Sequence, residues 1–241
     1  MARAVRVKSP SPKKPSKTKA RTTRAAAKPR GDDPARVAAI IDGLEQLYPD
    51  AHCELDFKTP FQLLVATILS AQCTDKRVNM VTPTLFAKYG TPATMAEATT
   101  REIEPIIQST GFFRNKAKSI VAAARVIMED FVGEVPRTMD ELLTLPGVAR
   151  KTANVVLGSA YGLNEGFVVD THVARLAGRL ALARAEEPVK IEAELCAKIP
   201  RDKWTKMGHQ LIWHGRRVCF ARKPACHECA LAPHCPSAGK V

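Results

Sequence analysis

From residue 33 onward the chain is cut repeatedly by the residues that start and stop helices, and almost nowhere by those that build strands. Asp33 before Pro34 is an N-cap followed by a proline at the first helical position, where a missing N–H costs nothing. Behind it, Val37, Ile40, Ile41, Leu44, Leu47 and Tyr48 fall on one helical stripe. Thr59-Pro60 repeats the same start, and Phe61 to Leu69 is apolar nearly all round, as a helix enclosed at the centre of a lobe must be. Helical patterns continue over 75–88, 101–108, 115–130, 138–143, 148–161, 171–182, 188–197 and 203–217. Gly90, Gly111, Gly133, Gly147 and Gly162 fall where one helix should stop and the next begin. The implied fold class is all-α, without an internal repeat.

Within that frame, residues 138–161 read as a short helix, a tight turn and a longer helix. Leu145-Pro146-Gly147-Val148 supplies the turn: Pro146 fixes φ, and Gly147 permits a conformation or an approach that a Cβ would obstruct. The first amides of the second helix then point outward, and with the helix dipole they make a natural seat for a phosphate. Lys151 lies in that first turn. The positive end of the dipole, with partial burial in a cleft, is expected to favour its free amine, a nucleophile able to form a Schiff base with carbon.

Phe167-Val168-Val169-Asp170-Thr171-His172 is an apolar run ending in a carboxylate just before a helical pattern. Asp170 is therefore placed at a helix N-terminus, where the anion is stabilised. Each residue has a plainer use when taken alone, Lys151 as a solvated surface group and Asp170 as a cap.

Four of the seven cysteines, Cys219, Cys226, Cys229 and Cys235, crowd into the last 23 residues with gaps of six, two and five. In a chain with no secretory signal this crowding reads as a metal site rather than as disulfides. Four thiolates suit either zinc or a four-iron cluster, and the spacing leaves both open. Cys53, Cys73 and Cys196 are expected to be ordinary buried thiols.

Charge separates a tail from the body. The net charge is +13; the first thirty residues carry eleven Lys or Arg and no acid, which leaves about +2 for the rest. Residues 1–30 also carry Pro10, Pro12, Pro15 and Pro29, so a disordered basic tail is expected. It can be read as an arm that adds non-specific affinity for a polyanion, as a bland solubility tail or as a transit peptide. No apolar run of eighteen residues occurs, so no membrane association is expected. The protein is expected to be intracellular and monomeric, in bacterial cytoplasm or nucleoid, with organelle and nucleus left open.

Taken together, Leu145-Pro146-Gly147-Val148, Arg150-Lys151-Thr152-Ala153-Asn154, Val169-Asp170-Thr171-His172 and the four cysteines resemble the endonuclease III family of DNA glycosylases, over residues 33–236. The resemblance implies a bifunctional enzyme of base excision repair. Lys151 would attack C1′ of a damaged nucleoside and cleave the strand by β-elimination, with Asp170 assisting the lysine and the developing positive charge. The four cysteines would hold a [4Fe-4S] cluster. The partner implied is double-stranded DNA containing damaged pyrimidines or abasic sites.

By the same resemblance, Gln72 fills the space of the flipped nucleotide, Phe112 wedges into the opposite strand, and the hairpin contacts phosphate through Leu145, Gly147, Val148 and Arg150. Arg222 and Lys223, in the loop between the first two cysteines, touch further phosphates. Two lobes are implied, a six-helix barrel over 53–163 with the hairpin at 138–161, and a cluster lobe of 31–52 plus 164–241, with the active-site cleft between them.

Three departures from the family pattern stand out. Phe112 replaces an aliphatic residue, Ala149 replaces a glycine, and the loop Leu163-Asn164-Glu165-Gly166 is one residue longer. Other activities considered are a pyrimidine-dimer glycosylase and lyase, an adenine glycosylase of the same superfamily, and a non-catalytic iron-sulfur DNA-binding protein. The hairpin lysine and the lack of a further C-terminal domain count against the adenine enzyme, and Lys151 with Asp170 against pure binding.

Overall fold

The computed structural model describes residues 33–241; the basic tail read from the sequence lies outside the described residues. Among the described residues there are eleven α-helices and no strand, which bears out the all-α reading. They are α1 (Pro34–Leu47), α2 (Pro60–Leu69), α3 (Asp75–Tyr89), α4 (Pro92–Glu97), α5 (Thr100–Ile107), α6 (Phe113–Asp130), α7 (Met139–Thr144), α8 (Arg150–Tyr161), α9 (Thr171–Arg179), α10 (Pro188–Lys198) and α11 (Trp204–Arg217).

The helices begin where their caps say. Asp33 accepts from the Ala35 N–H, Thr59 from Gln62 and Thr74 from Arg77, each serving an amide that has no partner within its own helix. α4 was not expected from the sequence, although Thr91-Pro92 starts it as Thr59-Pro60 starts α2, with a capping box between Thr91 and Thr94. Two other expectations shift. α9 stops at Arg179, because Ala181 turns into the left-handed region at φ 50°. Leu47 ends the α1 stripe 40% exposed.

Buried apolar side chains gather into two clusters. One runs from Leu55 to Val168, with α2 at its centre: Leu63, Leu64 and Leu69 are fully buried, and α2 packs against α3, α6 and α8. Each such side chain contributes roughly 1.5–3 kcal/mol through burial. The other joins Val37 to Ala51 with Phe167 to Leu231, so α1 completes a core otherwise built from the C-terminal part of the chain. The chain passes between the clusters at Phe167, Val168 and Val169, and Asp170 comes next.

The clusters are pinned together behind α8. Glu192 of α10, almost fully buried, accepts from Arg150 Nε and Nη2 at 2.7 and 2.9 Å and from Asn154 Nδ2 at 3.0 Å. Gly166 lies against this group so closely that a Cβ there would sit 2.1 Å from Glu192 Oε1. No helix among the described residues is long and apolar enough to cross a membrane.

Candidate active site

The hairpin is α7, the turn at Leu145–Val148 and α8. Thr138 caps α7, and the turn closes with Val148 N–H donating to the Leu145 carbonyl at 3.1 Å. Gly147 has φ 79°, and a Cβ on it would lie 2.6 Å from Ser119 Cβ on α6, so the turn requires glycine for both shape and space. Gly147→Ala is expected to destabilise the fold by about 1–3 kcal/mol through strain and overpacking. Chemical denaturation measures it, and an unchanged midpoint would show that the turn relaxes freely.

Leu145 and Val148 send their side chains into the core, so only their backbone faces outward, beside the exposed Gly147 and Ala149. Ala149 is the N-cap of α8, with extended backbone (φ −103°, ψ 168°) and no capping side chain. Its replacement of a glycine therefore carries no strain, and the first amides of α8 stay open to an anion. Arg150, expected to face phosphate, pairs with Glu192 and keeps its side chain 42% exposed. Lys151, the next residue, is exposed, which differs from the partial burial expected of it.

Asp170 caps α9: its Oδ1 accepts from the His172 and Val173 amides, both at 2.8 Å. Those two bonds fix the carboxylate at the helix N-terminus. Lys151 and Asp170 line the same cleft, a cavity of about 1240 Å³ between the two cores. Its other walls include Ser70, Asp75, His172 and Arg216. Arg216 of α11 pairs with Glu54 and, at 2.7 Å, with Asp75 at the start of α3, bracing one side of the cleft. His172 is held below the usual imidazole range mainly by burial, and its Nδ1 accepts from Arg175 Nη2 at 3.1 Å. Sequence reasoning missed Arg216, Glu54 and Asp75 as parts of the cleft, since only the fold brings them together.

Gln72 and Phe112 stand near the hairpin, in a shallow cavity that also touches Gly147 and Thr152. Both are exposed and both adopt left-handed backbone, at φ 54° and 48°. Phe112 is 65% exposed, an aromatic ring left in water at the N-cap of α6. Strained non-glycine residues of this kind concentrate at functional sites.

Cys219, Cys226, Cys229 and Cys235 line one small cavity at the far end of the second core, with Arg179, His214, Pro224 and Ala232 among its walls. No three His, Cys, Asp or Glu side chains among the described residues converge as they would around a single bound ion. Arg179 Nη1 lies 3.3 Å from Cys219 Sγ, and His214 Nε2 3.4 Å from Cys229 Sγ. Arg179 also donates to the Phe220 and Ala221 carbonyls, at 2.7 and 3.0 Å, which holds the loop that exposes Arg222 and Lys223. The remaining thiols, Cys53, Cys73 and Cys196, are only partly buried, less than expected. Burial pushes Cys53 and Cys196 each up to about 11.

Residues 65–201 match the HhH-GPD superfamily of base excision DNA repair proteins. The chain is 58% identical to the endonuclease III of Synechocystis sp. over 203 residues, covering 84% of this chain and 93% of that protein. It is 45% identical to the endonuclease III of Bacillus subtilis, covering 83% and 91%. Among solved structures it is similar to a trapped endonuclease III–DNA covalent intermediate, an estranged-adenine complex, at 42% identity and a TM-score of 0.81, over 86% of this chain and 97% of that one.

Proposed function

The chain belongs to the HhH-GPD superfamily of base excision DNA repair proteins as an endonuclease III, and from that premise we propose that Lys151 and Asp170 are its catalytic pair, acting on oxidised pyrimidines. It is a base excision repair DNA glycosylase and abasic-site lyase, and its partner is DNA. The observation that carries the assignment of residues is that an exposed lysine at an open helix N-terminus and a capped carboxylate line one cleft.

The chemistry derives from those groups. The Lys151 amine forms a bond to C1′; the glycosidic bond breaks and its electron pair leaves with the base, which takes up a proton. The Asp170 carboxylate stabilises the positive charge that develops on the sugar as the base departs. Loss of the amine proton and opening of the sugar ring give an imine between Lys151 and C1′. The imine acidifies C2′–H; as that proton is removed, the C3′–O bond breaks and the 3′ phosphate leaves. A buried target atom requires the nucleotide to be flipped out, at a cost of a few kcal/mol that is smaller for a damaged, poorly stacked base. Gln72 occupies the space so vacated, and Phe112 wedges into the opposite strand. The backbone amides of the hairpin, with Arg222 and Lys223, hold phosphates and position the duplex without reading sequence.

A panel of duplexes bearing thymine glycol, dihydrouracil, a pyrimidine dimer or a normal base tests this reading. Excision and strand cleavage are expected at the oxidised bases. Cleavage at the dimer alone would replace the proposed substrate class, and cleavage at none would overturn it.

Cys219, Cys226, Cys229 and Cys235 fit a [4Fe-4S] cluster, because all four cysteines line one cavity and Arg179 donates to Cys219 Sγ beside it. When bound, such a group supplies redox chemistry and cross-links the C-terminal loop; base removal and β-elimination move no electrons to or from it. Anaerobically purified protein is expected to contain about four irons per chain, set by the cluster stoichiometry, with a broad visible absorption band. Cys229→Ser is expected to lose both. Stoichiometric zinc with no visible band would overturn the assignment.

A further inference from the structure

Lys116 is a charged side chain in the first turn of α6, and it is only 5% exposed. Its Nζ donates to the Leu69 carbonyl and to the Thr110 carbonyl, both at 2.8 Å. Leu69 is the last residue of α2, where carbonyls lack partners within the helix and the dipole favours a cation. Thr110 ends the short 3-10 turn after α5. One ammonium thus fastens together two segments that are remote in sequence.

The residues just beyond the two carbonyls give the fastening a purpose. Gln72 comes three residues after Leu69, and Phe112 two residues after Thr110. These are the two exposed residues near the hairpin held in left-handed backbone. The backbone N–H of Lys116 also donates to the Phe112 carbonyl, at 3.1 Å. Strained conformers persist only where their surroundings over-determine them. An apolar side chain could fill the volume of Lys116, but it could not donate to either carbonyl.

We propose that Lys116 is a positioning residue that braces the Gln72 and Phe112 loops against each other, so that both enter the duplex as one preformed unit when a nucleotide is flipped. The proposal rests on the reading that Gln72 and Phe112 enter DNA. Lys116 touches no substrate. Its effect is confined to substrates whose target nucleotide must be extracted from a stack, and is absent where the target is already unstacked.

The test compares full-length wild type with Lys116→Met under single-turnover conditions on two substrates. One is a duplex with dihydrouracil opposite guanine, and the other a single-stranded oligonucleotide with an abasic site. Small displacements of positioning groups cost up to about 100-fold in rate, so a loss of about tenfold or more is expected on the duplex, with single-strand cleavage within about twofold of wild type. 2-Aminopurine fluorescence beside the lesion should show a matching loss of unstacking. Combined with Gln72→Ala and Phe112→Ala, Lys116→Met should add little, since residues acting as one unit are not additive.

Equal losses on both substrates would reduce Lys116 to a fold-stabilising role, and no loss on either would remove it altogether; both outcomes overturn the proposal. If Lys116→Met does not fold, Lys116→Gln, which keeps an uncharged amide donor on a shorter side chain, carries the same comparison. Failure of the underlying reading has its own signature: Gln72→Ala and Phe112→Ala would then leave the ratio of duplex to single-strand rates unchanged.

Discussion

Lys151→Ala is expected to eliminate the covalent adduct that borohydride traps between this protein and an abasic-site oligonucleotide, and to lower strand cleavage by about 10⁵-fold, the lower range of what a positioned reacting group supplies. The reason is position: Lys151 stands at the start of α8 on the cleft wall that Asp170 shares, whereas the other cations lining the cleft are Lys76 on α3 and Arg216, and Arg216 is paired with Glu54 and Asp75. The fold should not respond. Lys151 is exposed on a helix surface, where alanine is the better helix former, so the melting temperature should hold or rise slightly. An undiminished adduct in the alanine variant would move the nucleophile elsewhere.

The parts of this site that were legible in the sequence are those whose meaning is local. A turn, a helix start and a capping carboxylate are each written in a few adjacent residues, so the hairpin, Lys151 and the Asp170 cap could be read before any fold was known. α4 was written just as locally in Thr91-Pro92, but six residues give no periodicity to recognise and bury only Met95. The walls of the cleft were not legible, because Arg216 meets Asp75 across 141 residues of chain and Arg150 meets Glu192 across 42. Nor does the sequence distinguish a residue that offers its side chain from one that offers its backbone. Leu145 and Val148 belong to the hairpin, yet their side chains are spent on the core.

α9 links the two halves of the chemistry that the sequence presented separately. Its N-terminus carries Asp170, and further along Arg175 donates to the Cys219 carbonyl at 3.3 and 3.0 Å, while Arg179 reaches Cys219 Sγ and the loop behind it. The backbone around the first cysteine is thus held by the same short helix that Asp170 caps. The buried Arg36 of α1 completes the arrangement from the other side, donating to the Leu180 carbonyl at 2.6 Å and to the His234 carbonyl at 3.0 Å. The cysteine loop and the helix capped by Asp170 are therefore parts of one hydrogen-bonded unit.

Asp170→Asn separates the two things that Asp170 does. As a cap, its Oδ1 accepts two amides at 2.8 Å, and an asparagine oxygen can accept the same pair; the two residues cap helices about equally well. Stability should therefore change by less than about 1 kcal/mol, the typical worth of a whole cap. What asparagine cannot supply is negative charge beside a sugar that becomes cationic as the base leaves, or a proton acceptor for the attacking amine. Single-turnover excision of dihydrouracil is expected to fall by about 10²–10⁴-fold, the range for a lost acid–base or charge-stabilising group. Cleavage at a preformed abasic site should fall less, because no glycosidic bond has to break and less positive charge develops on the sugar. The contrast between the two substrates is the sharper measurement. Equal losses on both would assign Asp170 to activation of the lysine alone, and wild-type rates on both would leave it only its cap.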